Sequence, residues 1–510
     1  MRAARRPGET ALLGGLAVCA LLIHFLTNSR YGYFRDELYF IACGQHLAFG
    51  YVDQPPLSLL LVRLSSFLFG DSLFALRLFP ALAGAGTVWL TGMLARRLGG
   101  GSWAVALAAT CSLTAANYLA VGNFFSLNAF EPLFWMGCLY LLVRLIQGDS
   151  PRLWLWFGLL AGLGLENKHS MAFFAVGLAA GIVLTPLRCH LTQRWIWLGA
   201  LLALLTALPN LLWEIQHNWA TWELLRNVAR SDKNVVLGPL QFLAQQILQM
   251  NPATLPIWAS GLVWLLIARA GRPYLALAIA YLVTLFEFIL LHGKVYYLAP
   301  AYPMLLAAGG VAIESWCRER LRWVKPLLLT AAVTLAAVLA PVVLPILPPA
   351  KLVAYLAAMH ISVPRTETAH TAALPQLFAD QFGWPEMVGS VARAYHSLPP
   401  NERSRTAIFA QNYGEAGAID FFGPRLGLPP AISGHQNYFL WGPRDYSGES
   451  MLILDDRADD ERAQFETVTD LGPVSSSIWA MPWEQSLHLF HCRGLKRPLR
   501  EFWPATKHWL

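Results

Sequence analysis

Apolar runs long enough to cross a membrane recur along this chain and limit its fold more than any other feature. A spanning helix needs roughly 20 mainly apolar residues. Lipid offers no partner to backbone N–H and C=O groups, so only helices and closed barrels cross it. Eleven runs qualify: 10–28, 74–95, 103–120, 126–146, 153–166, 170–187, 195–213, 252–268, 273–291, 295–313 and 326–347, the fifth being the shortest. The expected architecture is an α-helical polytopic membrane protein with about eleven transmembrane helices. Charged residues make up 14% of the chain, against about 25% in a soluble domain, which argues against a cytosolic enzyme. A hydrophobic fraction of 56% excludes disorder. The start Met1-Arg-Ala-Ala-Arg-Arg6 resembles a signal peptide. No small-residue cleavage site precedes Asn28, and ten further runs follow, so the first run reads as an anchor.

Charge divides the chain. Residues 1–350 hold 24 Lys/Arg against 14 Asp/Glu, and residues 351–510 hold 14 against 17. The prolines Pro341, Pro345, Pro348 and Pro349 mark the change. The expected domains are therefore 1–349 in the membrane and 350–510 outside it. In the second, short β-like runs (406–410, 450–454 and 487–491) flank a helix-like stretch at 415–422, which reads as a small α/β domain. The positive charge forms no patch, so nucleic acid is not an expected partner. Seven cysteines are scattered without CxxC or metal-ligand spacing, and no disulfide framework or metal site is expected.

Orientation follows from basic residues in short loops. With the N-terminus in the cytoplasm, that side receives fifteen, among them Arg2, Arg5, Arg6, Arg96, Arg97, Arg318, Arg320 and Arg322, while the other side receives nine. Eleven crossings then place residues 350–510 outside the bacterial cytoplasmic (inner) membrane, in the periplasm. The outer loops 29–73 and 214–251 are long, and long loops in compact domains usually carry function.

Polar residues collect at the outer helix ends. The first outer loop reads Arg30-Tyr-Gly-Tyr-Phe-Arg-Asp36-Glu37-Leu-Tyr-Phe and then Gly50-Tyr-Val-Asp53-Gln-Pro-Pro-Leu57. Adjacent helical residues point about 100° apart, so one of Asp36 and Glu37 could face a cavity while its neighbour binds structure. Asn128 and Glu131 open the fourth run, Glu166 to His169 form the turn after the fifth, and His292 and Lys294 precede Tyr296 and Tyr297. Each alone reads as an interfacial anchor, since lysine snorkels easily. Together they suit a reaction in which a base activates a hydroxyl and cations hold a phosphate.

The RDELYF, GYVDQPPL, LGLENKHS and HGKVYYLAPAYPMLLAAGG segments resemble the bacterial branch of the protein O-mannosyltransferase superfamily, membrane glycosyltransferases of the GT-C class. Relatives include the transferases that add aminoarabinose to lipid A and galacturonic acid to lipopolysaccharide. The resemblance covers roughly residues 10–345. It implies a polyprenyl-phosphate-linked monosaccharide donor, no nucleotide sugar, and inversion at the anomeric carbon. The family's acidic residue of the first outer loop matches Asp36, with Glu37 beside it, and a second acidic position matches Glu131. The family lysine after the fifth helix matches Lys168, and the cation before the Tyr-Tyr-Leu-x-Pro stretch matches Lys294. Gln54 stands where many relatives have histidine. Some relatives bind a metal near this site. No His/carboxylate cluster is evident here, so no cofactor is expected.

These residues give a consistent chemistry. A sugar on a lipid phosphate is already activated. The reaction needs a base, for which Asp36 is the choice, with Glu37 and Glu131 the other catalytic candidates. It needs cations for the phosphate, Lys168 and Lys294, since lysine serves phosphate as a point charge. Asp53, His292 and Tyr297 complete the candidate binding set. The acceptor is open between a glycolipid, a polysaccharide and a protein. A lipid-linked sugar flippase and a non-catalytic envelope assembly subunit remain as alternatives. The long first loop and the lack of repeats weigh against the flippase.

Overall fold

The computed structural model describes residues 7–317, 321–363, 365 and 367–510. Of the arginines expected on the cytoplasmic side, Arg2, Arg5, Arg6, Arg318 and Arg320 lie outside the described residues. The chain forms two compact units: Met1–Ser29 with Phe74–Leu212 and Val236–Ile346, and Arg30–Leu73 with Trp213–Val235 and Leu347–Leu510. The last change of unit falls at 346/347. The second unit also gathers the two long loops that interrupt the apolar runs.

All eleven apolar runs are helical. Among the described residues seven helices are long and apolar enough, or nine if each of two sharply bent pairs makes one span. The other runs give shorter or broken helices, and the cause is local. The run 103–120 splits into helices Ser102–Leu113 and Ala116–Val121 because Ala115 is extended. The run 153–166 gives a helix of 15 residues, Leu153–Asn167. Helix Met171–Leu184 turns by 100° into a 3-10 segment that opens with Pro186. Proline suits a first helical position but cannot extend a helix from its interior. Helices Pro239–Gln249 and Leu255–Ile267 are bent at Asn251, which has φ 68°.

Within the first unit, helix Tyr302–Trp316 is almost wholly buried. A Cβ at Gly261 would strike the backbone of Leu305, and one at Gly309 the backbone of Ile257. The glycines thus let helix Leu255–Ile267 and helix Tyr302–Trp316 approach backbone to backbone, the usual way membrane helices gain dispersion contact.

In the second unit, four strands form one sheet: β1 (Thr406–Phe409), β2 (Ser450–Asp455), β3 (Phe465–Pro473) and β4 (His488–Leu495), in the order β1-β2-β4-β3. β1 lies parallel to β2, with Thr406 opposite Ser450. The other two pairings are antiparallel. β1 returns through helix Tyr413–Phe422 towards β2, as a parallel pair requires a crossover. Ala407, Met451, Ile453, Phe490 and Cys492 pack with Trp503 in the core of the sheet. The loop 30–73 is itself largely helical, with helices Arg35–Gln45 and Leu57–Phe69.

Candidate active site

The chemistry-bearing residues fall into two groups, one in each unit. In the second unit, Asp36 and Glu37 share the first turn of helix Arg35–Gln45. Their side chains take different tasks. Glu37 is fully buried, and its Oε2 accepts the Phe34 amide at 2.8 Å. That satisfies a backbone donor the helix itself leaves unpaired. The Asp36 side chain is 36% exposed. Its Oδ1 accepts a hydrogen bond from the Tyr413 hydroxyl at 2.8 Å.

Arg35 lies beneath this carboxylate. Its guanidinium is 3.7 Å from Asp36, 3.4 Å from Glu367 and 3.8 Å from Asp380, and 5.6 Å from the centre of the Tyr413 ring. Burial works against its charge but is outweighed by Asp380 and the groups around it, so the arginine holds its proton even more firmly than usual. Asp380 is pushed up to about 7 by burial, with Arg35 opposing the shift. Asp53 is likewise pushed up to about 7 by burial. The hydrogen bond from the Tyr39 hydroxyl at 3.1 Å opposes that rise, and the Asp36 charge adds to it. The Tyr39 and Tyr413 rings are 4.7 Å apart and link the two aspartates. Gln54 is buried, and neither its Nε2 nor its Oε1 has a hydrogen-bond partner among the described residues.

In the first unit, Glu131 opens helix Glu131–Ile146 and is buried. Its Oε2 meets Lys168 Nζ at 2.8 Å, and its Oε1 accepts from the Ser170 hydroxyl. Lys168 Nζ also donates to Asn128 Oδ1 at 2.7 Å and lies 4.3 Å from the centre of the Tyr297 ring. Three separate chain segments thus meet at one ammonium group. Lys294 immediately precedes the 3-10 segment Val295–Ala301 that carries Tyr296 and Tyr297. Tyr297 feels the charges of both Lys294 and Lys168. His292 is different. It sits exposed at φ 52° after helix Leu275–Leu290, and among the described residues its side chain touches none of Glu131, Lys168 or Tyr297.

The structure therefore brings together Asp36 with Asp53, and Glu131 with Lys168 and Tyr297. Tyr413, Arg35, Tyr39, Asp380, Glu367 and Ser170 were not evident as site residues in the sequence. Only Tyr413 had a local signal: Asn412-Tyr-Gly-Glu is a capped helix start directly after a strand, where the Asn412 side chain accepts the amides of Gly414 and Glu415. Among the described residues, no three or more His, Cys, Asp or Glu side chains come together as metal ligands.

Residues 53–213 match the family profile described as dolichyl-phosphate-mannose-protein mannosyltransferase. The lipid A galacturonosyltransferase RgtD of Rhizobium johnstonii is 26% identical over 251 residues, 48% of this chain and 52% of that protein. The chain thus spans about half the length of this curated relative. In structure the chain is similar to ArnT from Cupriavidus metallidurans, solved bound to undecaprenyl phosphate. The TM-score is 0.62 at 15% identity, covering 94% of this chain and 98% of that one. The mycobacterial arabinofuranosyltransferase AftD is similar at a TM-score of 0.53 and 14% identity, over 95% of this chain and 40% of that one. At these identities the likeness is one of fold.

Proposed function

The chain is a multi-pass membrane protein with the fold of the GT-C glycosyltransferases, and we propose that it acts as one. It would transfer a monosaccharide from a polyprenyl-phosphate donor to an acceptor on the outer side of the cytoplasmic membrane, with residues 350–510 on that same side. The observation that carries this reading is the division of labour between neighbouring carboxylates: Glu37 is consumed in capping its own helix, while Asp36 is part-exposed and held by Tyr413. Asp36 is the general base. It takes the proton as the acceptor oxygen attacks the anomeric carbon, the bond from that carbon to the phosphate oxygen breaks, and polyprenyl phosphate leaves with the electron pair. Configuration inverts.

Lys294 and Lys168 hold the donor phosphate, with Tyr297 beside them. Stabilising charge on a leaving group is often the largest single contribution to such a rate. Lys168 spends part of its capacity on Glu131, so Lys294 is the more available cation. A bound undecaprenyl phosphate in ArnT supports the donor class, and the lipid A named for the relative favours a glycolipid acceptor.

The test is mass spectrometry of envelope glycolipids from cells with the gene, without it, and with Asp36→Asn at equal protein level. The expected result is a mass increment of one sugar residue in the first only. An increment of undiminished abundance in Asp36→Asn cells would overturn the assignment.

A further inference from the structure

We infer that Tyr413, carried by the segment that follows the last apolar run, is the positioning residue of the base: its hydroxyl and the shared Arg35 beside it set the orientation of Asp36. This inference rests on the reading of Asp36 given above. The chain builds the contact deliberately. Asn412 caps helix Tyr413–Phe422 through the amides of Gly414 and Glu415 at 2.8 and 3.0 Å, which places Tyr413 at the first helical position. The helix then lies directly on helix Arg35–Gln45. A Cβ at Gly417 would meet the backbone of Leu38 and Tyr39 at 2.8–3.0 Å, and one at Gly414 would strike the Arg35 side chain. At Gly417 no larger residue permits that approach without moving backbone.

The Tyr413 ring is fixed on several sides, by Tyr39 at 4.7 Å, His435 at 4.8 Å and the Arg35 guanidinium at 5.6 Å. Burial holds its hydroxyl well above the ordinary range, so it stays protonated and donates. The charged groups around Asp36 are Arg35 on its own helix, Glu367 and Asp380 on the later segment, and Asp53 on the following loop. Arg35 is shared among three carboxylates. The Tyr413 hydroxyl is the short, directional contact, and it occupies Oδ1 alone. Oδ2 remains for the acceptor hydroxyl.

The experiment uses the full-length protein in detergent. Transfer of sugar to glycolipid is followed at varied donor concentration, per folded protein. Tyr413→Phe keeps the ring and removes the hydroxyl that holds Oδ1, so kcat should fall about three- to tenfold while the donor KM stays unchanged. Asn412→Ala loosens the cap that sets the Tyr413 ring and should lower kcat in the same direction, which keeps the inference testable should Tyr413→Phe fail to fold. An unchanged kcat in folded Tyr413→Phe, or a loss that appears in KM alone, overturns the inference. If kcat falls as stated but Asp36→Asn still makes full product, the base assignment fails instead.

Discussion

Lys168 Nζ lies 2.8 Å from Glu131 Oε2, and that carboxylate is only 3% exposed. Lys168 is therefore half of a buried ion pair. Its charge does two things at once: it neutralises Glu131 and faces the Tyr297 ring. The pair makes the two lysines unequal, and mutation should reveal the difference.

Lys168→Ala strands a buried carboxylate. Removing one partner of such a pair typically costs about 3–5 kcal/mol, so the melting midpoint of the purified protein should drop sharply. Lys168→Met with Glu131→Gln should recover most of that loss, because no charge is left unpaired. Lys294→Ala should shift stability by less than about 0.5 kcal/mol and weaken undecaprenyl phosphate binding. Thermal melts and a binding titration with undecaprenyl phosphate measure both. Equal melting losses in the two single variants would contradict the pairing.

The two adjacent carboxylates should separate in the same manner. Asp36→Asn should lower turnover by about 10²–10⁴ with little change in melting. Glu37→Gln weakens the cap at Phe34 and should cost about 1 kcal/mol, with a milder effect on turnover. Product yield per folded protein, compared for both variants, decides. Reversed effects would exchange the roles.

Stability should depend on pH through Asp53 and Asp380, each pushed up to about 7 by burial. A carboxyl whose folded-state value is raised binds more protons folded than unfolded, so it contributes stability that is fully present below the unfolded value near 4. That contribution is lost as pH rises through about 7. Melting midpoints should rise as pH is lowered from 8 to 5, and Asp53→Asn should flatten the slope. A midpoint that falls over that interval would refute the burial argument.

Sidedness has a direct check in a natural cysteine. Cys189 is exposed and lies in the short basic loop 188–194, expected inside, whereas Asp445 is exposed and expected outside. A membrane-impermeant maleimide on intact cells should label Asp445→Cys, and label Cys189 only after permeabilisation. The converse pattern would invert the topology.

Much of this molecule is written locally. The apolar runs determine the membrane helices, because lipid leaves a backbone no other partner. The β-like runs at 406–410, 450–454 and 487–491 are strands, since their apolar residues alternate or run together as a buried sheet demands. β3 was not legible: it is an edge strand with mostly exposed residues, so no burial pattern marks it. The breaks at Ala115 and Pro186 inside apolar runs were not legible, because hydropathy does not register a backbone turn.

The sequence by itself determined which residue types stand ready: Asp36 and Glu37 in one turn, Glu131 at a helix start, Lys168 and Lys294 in tight turns. Tertiary structure alone decided what each does. Glu37 and Asp36 differ by one position, and only the helix start at Phe34 makes one a cap. Tyr413 is 377 residues from Asp36 along the chain, and Lys168 is 37 from Glu131. Contacts of that separation leave no periodicity in a sequence. They exist because Gly417 lets a later helix settle against the backbone of an earlier one, and because a buried charge must find its partner in space.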